Sequence, residues 1–282
     1  MNGVLAPGAG FRPMTEPMPL SLETADAERR FGGMDRLYGS DAAGRVRAAH
    51  VAVVGVGGVG SWAAEALARS GVSRLTLIDM DHIAESNVNR QIHALSSTLG
   101  MSKVEAMAQR IAQINPSAQL TLVDDFVTPD NWPAILPQGV DAVIDACDQF
   151  SAKYAIMQWS LRRRTPFVTV GAAGGKRLAH TVDVQDLADV THDPLLAKLR
   201  YRLRREKAVM ADARKLRIPC VFSREAVQKS VQQCEVPGDG SLNCHGYGSL
   251  VSVTAVFGMV AAGWIIEKLS AGGGIGKNNA II

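Results

Sequence analysis

Four side chains of this protein have the types and spacing to handle a polyphosphate. Arg90 and Lys103 are cations of different shape, a planar fork and a compact ammonium, and together they suit a chain of phosphates. Lys103 falls in the first turn of a predicted helix, where its charge opposes the macrodipole, a placement that points to an anionic ligand. Asp79 ends an apolar run, where an acid can bind ribose hydroxyls. Asp148 can hold Mg2+, because hard cations take oxygen ligands and bridge phosphates. Ahead of them lies a glycine turn, Gly55-Val56-Gly57-Gly58-Val59-Gly60. Its glycines, Gly55, Gly57, Gly58 and Gly60, let the backbone approach a phosphate and open a helix whose first amides favour an anion. A nicotinamide enzyme has no use for an arginine and a lysine here. The set predicts a nucleoside triphosphate, with Arg90, Lys103 and Asp148 as the catalytic groups that stabilise charge.

These residues need elements to gather them. Residues 51–55, 75–79, 120–123, 142–145 and 167–170 are near-continuous apolar runs, as expected of strands covered on both faces. Between them, residues 61–70 and 102–114 read as helices. The first stops at Gly71. The second opens with Ser102 and Glu105 as a capping box, carries Val104, Met107, Ala108 and Ile111 on one face, and ends at Asn115-Pro116. The alternation predicts an α/β protein with a doubly wound, mostly parallel, Rossmann-like sheet. Ligands of such sheets bind beyond the carboxyl ends of the strands, and the glycine turn, Asp79 and Asp148 all fall there. Asp145, at a strand end, reads as structural.

The 282 residues, 47% of them hydrophobic, suffice for one large domain. The expected organisation is a mobile leader over residues 1–30 and a nucleotide-binding domain over 31–175. A crossover or insertion region follows over 176–248, then a buried C-terminal apolar helix over 249–269 and a disordered tail over 270–282. Residues 250–266 are strongly apolar, so a membrane span is the alternative to a buried helix. Four cysteines, Cys147, Cys220, Cys234 and Cys244, lack C-x-x-C spacing. That predicts no zinc, no disulfide framework, reduced thiols and a cytoplasmic location.

The succession G-x-G-G-x-G, D-x-D, N-x-x-R-Q, K-x-E and D-x-x-D over residues 45–175 resembles the ubiquitin-activating-enzyme superfamily of adenylating enzymes. The resemblance implies that Gly57, Gly58, Asp79, Asn87, Arg90, Gln91, Lys103 and Asp148 bind ATP and Mg2+. It also implies a homodimer. The superfamily's N-terminal arginine that reaches the partner's site has no clear equivalent in this sequence, and Arg30 and Arg36 are the candidates to substitute for it. A narrower resemblance runs through Phe31-Gly32-Gly33, Arg36-Leu37-Tyr38-Gly39, the stretch from Asn89 to Leu95, the stretch from Asp124 to Asn131, and Cys220-Val221-Phe222-Ser223. These are similar to the dehydratase family that acts on threonylcarbamoyladenosine in tRNA. This implies ATP-dependent cyclisation of that nucleoside next to the anticodon, through activation of the threonine carboxylate and intramolecular ring closure. Partners implied by the family are tRNA, a cysteine desulfurase and its sulfur-acceptor protein. The alternative is adenylylation of the C-terminus of a ubiquitin-like sulfur-carrier protein, against which the missing C-x-x-C pairs argue.

A tRNA substrate needs a cationic surface. Nine cations face two acids over residues 198–217, and Arg200, Arg202, Arg204 and Arg205 are the expected phosphate contacts. The candidate reactive thiol is Cys244, beside His245, since a low thiol pKa needs a basic neighbourhood. Cys147, between two acids, is the poorest candidate.

Overall fold

The five apolar runs pair side by side in a single sheet. The computed structural model describes residues 26–206, 213–228 and 247–272. Within them the strands are β1 (His50–Val54), β2 (Arg74–Ile78), β3 (Gln119–Val123), β4 (Ala142–Asp145), β5 (Phe167–Val170), β6 (Val182–Asp186) and β7 (Pro219–Ser223). Their spatial order is β3-β2-β1-β4-β5-β7-β6. Every neighbouring pair is parallel except β6 with β7. Val54 is level with Ile78 on one side and with Asp145 on the other. The carboxyl ends of β2, β1 and β4 therefore line up where the winding reverses, which is where such sheets bind ligands.

Side-chain alternation divides the core into two layers. Val51 and Val53 of β1 point to one layer, with α3 (Gly60–Arg69), α4 (Lys103–Ile114) and α7 (Val251–Ser270). Ala52 and Val54 point to the other, with α5 (Phe150–Arg163) and α6 (Pro194–Glu206). The apolar run expected at residues 250–266 is thus a packing helix: α7 is long and apolar enough to cross a membrane, and it buries Val253, Phe257, Ala261, Ala262 and Ile265 against α3 and the sheet. A Cβ on Gly258 would lie 2.4 Å from the Val59 carbonyl oxygen, so only glycine permits this approach.

Several expectations need correction. β3 is an edge strand and mostly exposed; with one neighbour it is not covered on both faces. The Ser102–Glu105 capping box does not form: Ser102 makes no side-chain cap, and its buried hydroxyl has no partner among the described residues. The Asp81 carbonyl accepts the Lys103 amide at 3.0 Å instead, and Ser102 is bridged to His82. The leader expected over 1–30 gives way to helix at Ala27. There Asp26 caps α1 (Ala27–Tyr38) by accepting the amides of Glu28 and Arg29 at 3.0 and 3.1 Å. α2 (Ser40–Ala48) follows, tied to α1 by a two-pronged Arg47–Asp35 pair at 2.8 Å. Beyond residue 175, in the segment expected as a crossover or insertion, β6 and β7 extend the sheet and α6 packs on it. Cys234, Cys244 and the tail beyond residue 272 lie outside the described residues.

Candidate active site

A cleft of ≈ 190 Å³ opens at the carboxyl ends of β1, β2, β4 and β5. Gly55, Gly57 and Gly58 form one wall, Arg90, Gln91 and Lys103 another, and Asp79, Asp148 and Gln149 its floor and rim. Sequence reasoning missed the loops 125–127 and 171–174 that close the remaining sides. A wider depression between α1 and α4, lined by Arg30, His93 and Arg110, touches neither the glycine turn nor the strand ends.

The glycines divide by role. Gly55 has φ +83°, and a Cβ there would sit 2.9 Å from the Ala146 carbonyl. A Cβ on Gly60 would lie 1.7 Å from the Gly55 oxygen. Gly60 therefore serves the turn's own closure and, against expectation, does not line the cleft. Among the described residues, a Cβ on Gly57 would meet only Gln91 Nε2, at 3.9 Å. That is the room a phosphate needs.

Asp79 accepts the Val56 amide at 2.6 Å and the Asp81 amide at 2.9 Å. It locks the glycine turn to the end of β2, with carboxylate lone pairs left over for a ligand. Burial raises its pKa, and the Lys103 charge opposes that. Lys103 is nearly buried and pairs with the half-exposed Asp81 at 2.5 Å. Asp81 was passed over in the sequence although the D-x-D spacing displays it. Arg90 donates to the Ser86 carbonyl at 2.6 Å and to Asn89 Oδ1 at 3.0 Å; burial lowers its pKa. Its own carbonyl accepts Trp62 Nε1 at 2.9 Å, so the residue is held from both ends. Gln91 is buried, and its Oε1 makes no hydrogen bond among the described residues. An orphaned acceptor beside two cations fits a nucleotide. Asn87 instead accepts the Ala84 amide at 3.2 Å and shapes the short turn Glu85–Asn87 behind the cleft.

Asp148 is exposed at the rim. Among the described residues no group of three His, Cys, Asp or Glu could by itself hold a metal. One carboxylate completed by substrate phosphates is a usual arrangement for Mg2+, and Asp148 fits it. Beneath the floor, Asp145 forms a fully buried pair with Lys153 at 3.0 Å and accepts Thr169 Oγ1 at 2.5 Å. Cys147 lines the cleft, but its Sγ donates to Asp145 Oδ1 at 2.9 Å, and burial and Asp145 hold its thiol pKa well up. Cys220 is buried, with its thiol pKa also pushed up by burial.

Of the four expected tRNA contacts, Arg200 is turned inward and donates to the carbonyls of Leu187 and Val190 at 3.0 and 2.8 Å. Arg204 is half-buried, with Nε unpaired among the described residues. Arg202 and Arg205 are exposed.

His93 sits between the cleft wall and α4, 1% exposed. Burial first, then the charges of Lys103 and Arg110, lower its pKa to about 4. The unfolded chain, with a histidine near 6.5, binds more protons at any pH between these values. Stability is therefore full above about pH 6.5 and is lost as pH falls towards 4, by up to ~1.4 kcal/mol per pH unit. Urea unfolding at pH 7 and pH 5 should show this loss in the wild type, reduced by about 2 kcal/mol in His93→Gln. An equal loss in both would remove His93 as the titrating group.

A model of the ThiF family matches residues 34–280. The chain is 46% identical over 262 residues to a tRNA threonylcarbamoyladenosine dehydratase of Escherichia coli (strain K12), covering 89% of this chain and 98% of that protein. It is 41% identical over 246 residues to the protein of the same name from Haemophilus influenzae, covering 86% and 94%. Among solved structures, that of the E. coli tRNA N6-threonylcarbamoyladenosine dehydratase in complex with ATP superposes with a TM-score of 0.79 at 46% identity. That superposition covers 88% of this chain and 97% of the other. The same enzyme in complex with AMP gives 0.78.

Proposed function

The chain belongs to the ThiF family, and on that premise we propose that it is an ATP-dependent tRNA threonylcarbamoyladenosine dehydratase. It cyclises N6-threonylcarbamoyladenosine next to the anticodon. The observation that carries this reading is a cleft with two cations and a glycine turn, in a chain 46% identical to such an enzyme along nearly its whole length.

A free carboxylate is a poor acyl donor. Activation by ATP makes its oxygen a good leaving group, and the ureido group of the same nucleoside then closes on the carbonyl carbon. Both groups belong to one molecule, so closure has a high effective molarity. No enzyme nucleophile is required, which suits a cleft whose described cysteine is held protonated by burial and Asp145. Arg90 and Lys103 neutralise the phosphates, Asp79 takes the ribose, and the glycine turn gives the phosphates their approach. Gln91 donates or accepts at the nucleotide through its amide. Asp148, with substrate phosphates, would hold Mg2+, and the ion would supply charge screening at the leaving group. Asn87 and Gly60 shape the turns that form the walls.

The working form is a cytoplasmic homodimer. Arg30 donates to the carbonyls of Gln113 and Ile114 at 3.3 and 2.7 Å, so Arg36, exposed on α1, is the arginine that reaches the partner's site. A cysteine desulfurase and its sulfur acceptor are the further partners in this reading.

The test is mass spectrometry of nucleosides after incubation with MgATP and tRNA carrying the linear modification. The expected product is the nucleoside lighter by one water, formed only with ATP. An unchanged nucleoside would overturn the assignment.

A further inference from the structure

Helix α6 turns Leu196, Leu199 and Leu203 into the core. Helical spacing then puts Lys198, Tyr201, Arg202 and Arg205 together on one exposed stripe. Lys198 and Arg205 are about 10 Å apart along the axis, and Tyr201 between them is 66% exposed. Its ring has the Arg205 guanidinium 6.0 Å from its centroid.

The stripe is braced from below. Phe150 and Tyr154 of α5 stack with centroids 6.2 Å apart and planes inclined by 15°. Lys198 Nζ lies 4.6 Å from the Phe150 centroid, and the Arg202 guanidinium lies 4.7 Å from that of Tyr154. Arg202 also pairs with Glu206 at 2.7 Å, and Glu206 accepts the Tyr154 hydroxyl. Phe150 directly follows Gln149, a residue of the cleft's rim. The cations therefore start at the mouth of the cleft and run away from it along the flank.

We propose that this stripe carries the RNA strand leading to the reacting adenosine: Lys198, Arg202 and Arg205 meet backbone phosphates, and Tyr201 is a platform for one unpaired base. This deepens the tRNA reading and rests on it. Three positioned cations against one acid supply the complementary charge for a phosphate backbone. Phosphate contacts fix register without reading sequence. Loop nucleotides of RNA are recognised by stacking splayed bases on aromatic rings, and every base offers a face to such a ring. An exposed tyrosine among these cations supplies that ring. The selection departs from the arginine content of the segment, because Arg200 and Arg204 face inward while Lys198 and Tyr201 face out.

The test uses the full chain, with two readouts: the KM for linearly modified tRNA in the cyclisation assay, and direct tRNA binding by fluorescence anisotropy. Tyr201→Ala should raise both KM and Kd about tenfold, and Tyr201→Phe should restore them. Lys198→Glu with Arg205→Glu should weaken binding further and flatten its salt dependence. Arg163→Glu, the same charge reversal at the far end of α5, should leave both values unchanged. All these side chains are exposed, and unfolding midpoints will report on folding. Wild-type values in Tyr201→Ala and in the double reversal would overturn the proposal, as would an equal effect of Arg163→Glu, which would indicate diffuse attraction. A wild-type protein that binds tRNA through this stripe yet cyclises nothing would overturn the enzymatic reading alone.

Discussion

Lys103→Ala is expected to lower the rate of ATP-dependent tRNA cyclisation by about two to three orders of magnitude, with Arg90→Ala comparable and the fold intact. Lys103 is nearly buried at the first turn of α4, where the helix field disfavours a cation. Asp81 compensates, but it is half exposed, so losing the pair alone is a small stability effect. The larger consequence is an uncompensated phosphate charge in the transition state. Arg90 is pinned by the Ser86 carbonyl, Asn89 and Trp62, and this preorganisation makes a fixed charge effective. The measurements are single-turnover nucleoside conversion and calorimetry of MgATP binding, with urea unfolding alongside. Wild-type conversion in either alanine variant would refute the phosphate role. A large stability loss with activity retained would make Lys103 a structural residue.

The largest stability effect is expected beneath the cleft, at Lys153. Burial opposes its charge, but Asp145, together with Cys147 and Asp193, outweighs burial and the Lys153 pKa is raised, so the ammonium keeps its proton at neutral pH. Lys153→Met would strand a buried carboxylate and should destabilise the protein by about 3–5 kcal/mol, read as a shift in the urea midpoint. Combining it with Asp145→Leu should recover part of that loss, since replacing a whole buried pair with apolar groups is often close to neutral. A double variant as unstable as the sum of the singles would show that the two side chains do not interact. Asp145 also accepts the Cys147 amide at 3.3 Å, which holds the loop that presents Asp148. Lys153→Met should therefore also weaken MgATP binding.

The parallel layers were legible because both-face burial writes continuous apolar runs at β1, β2, β4 and β5. β6 escaped notice since its Val-Asp-Val-Gln-Asp is half polar, as suits an edge strand that pairs on one side only. α5 was missed because apolar residues surround it without a clear stripe, and Lys153 in its first turn disguises a core-facing position. α1 hid behind a leader rich in glycine and proline, and only the Asp26 cap marks its start.

Within the site, residue types and spacing determined that a glycine turn and two acids would meet at the strand ends, because a parallel sheet delivers every strand's carboxyl end to one edge; the arginine and the lysine were joined to them by their affinity for phosphate and by resemblance. Spacing along the chain could not say which side chains face the cleft. That depended on which partners the folded backbone brings within reach: Gly60 closing on Gly55, Asn87 satisfying a local amide, Asp81 poising Lys103, Lys153 pairing beneath the floor, and Arg200 folding onto two carbonyls. Such partners are set by packing in three dimensions. Buried donors and acceptors must be satisfied there, and one-dimensional order does not record which of several polar residues will be used to do it.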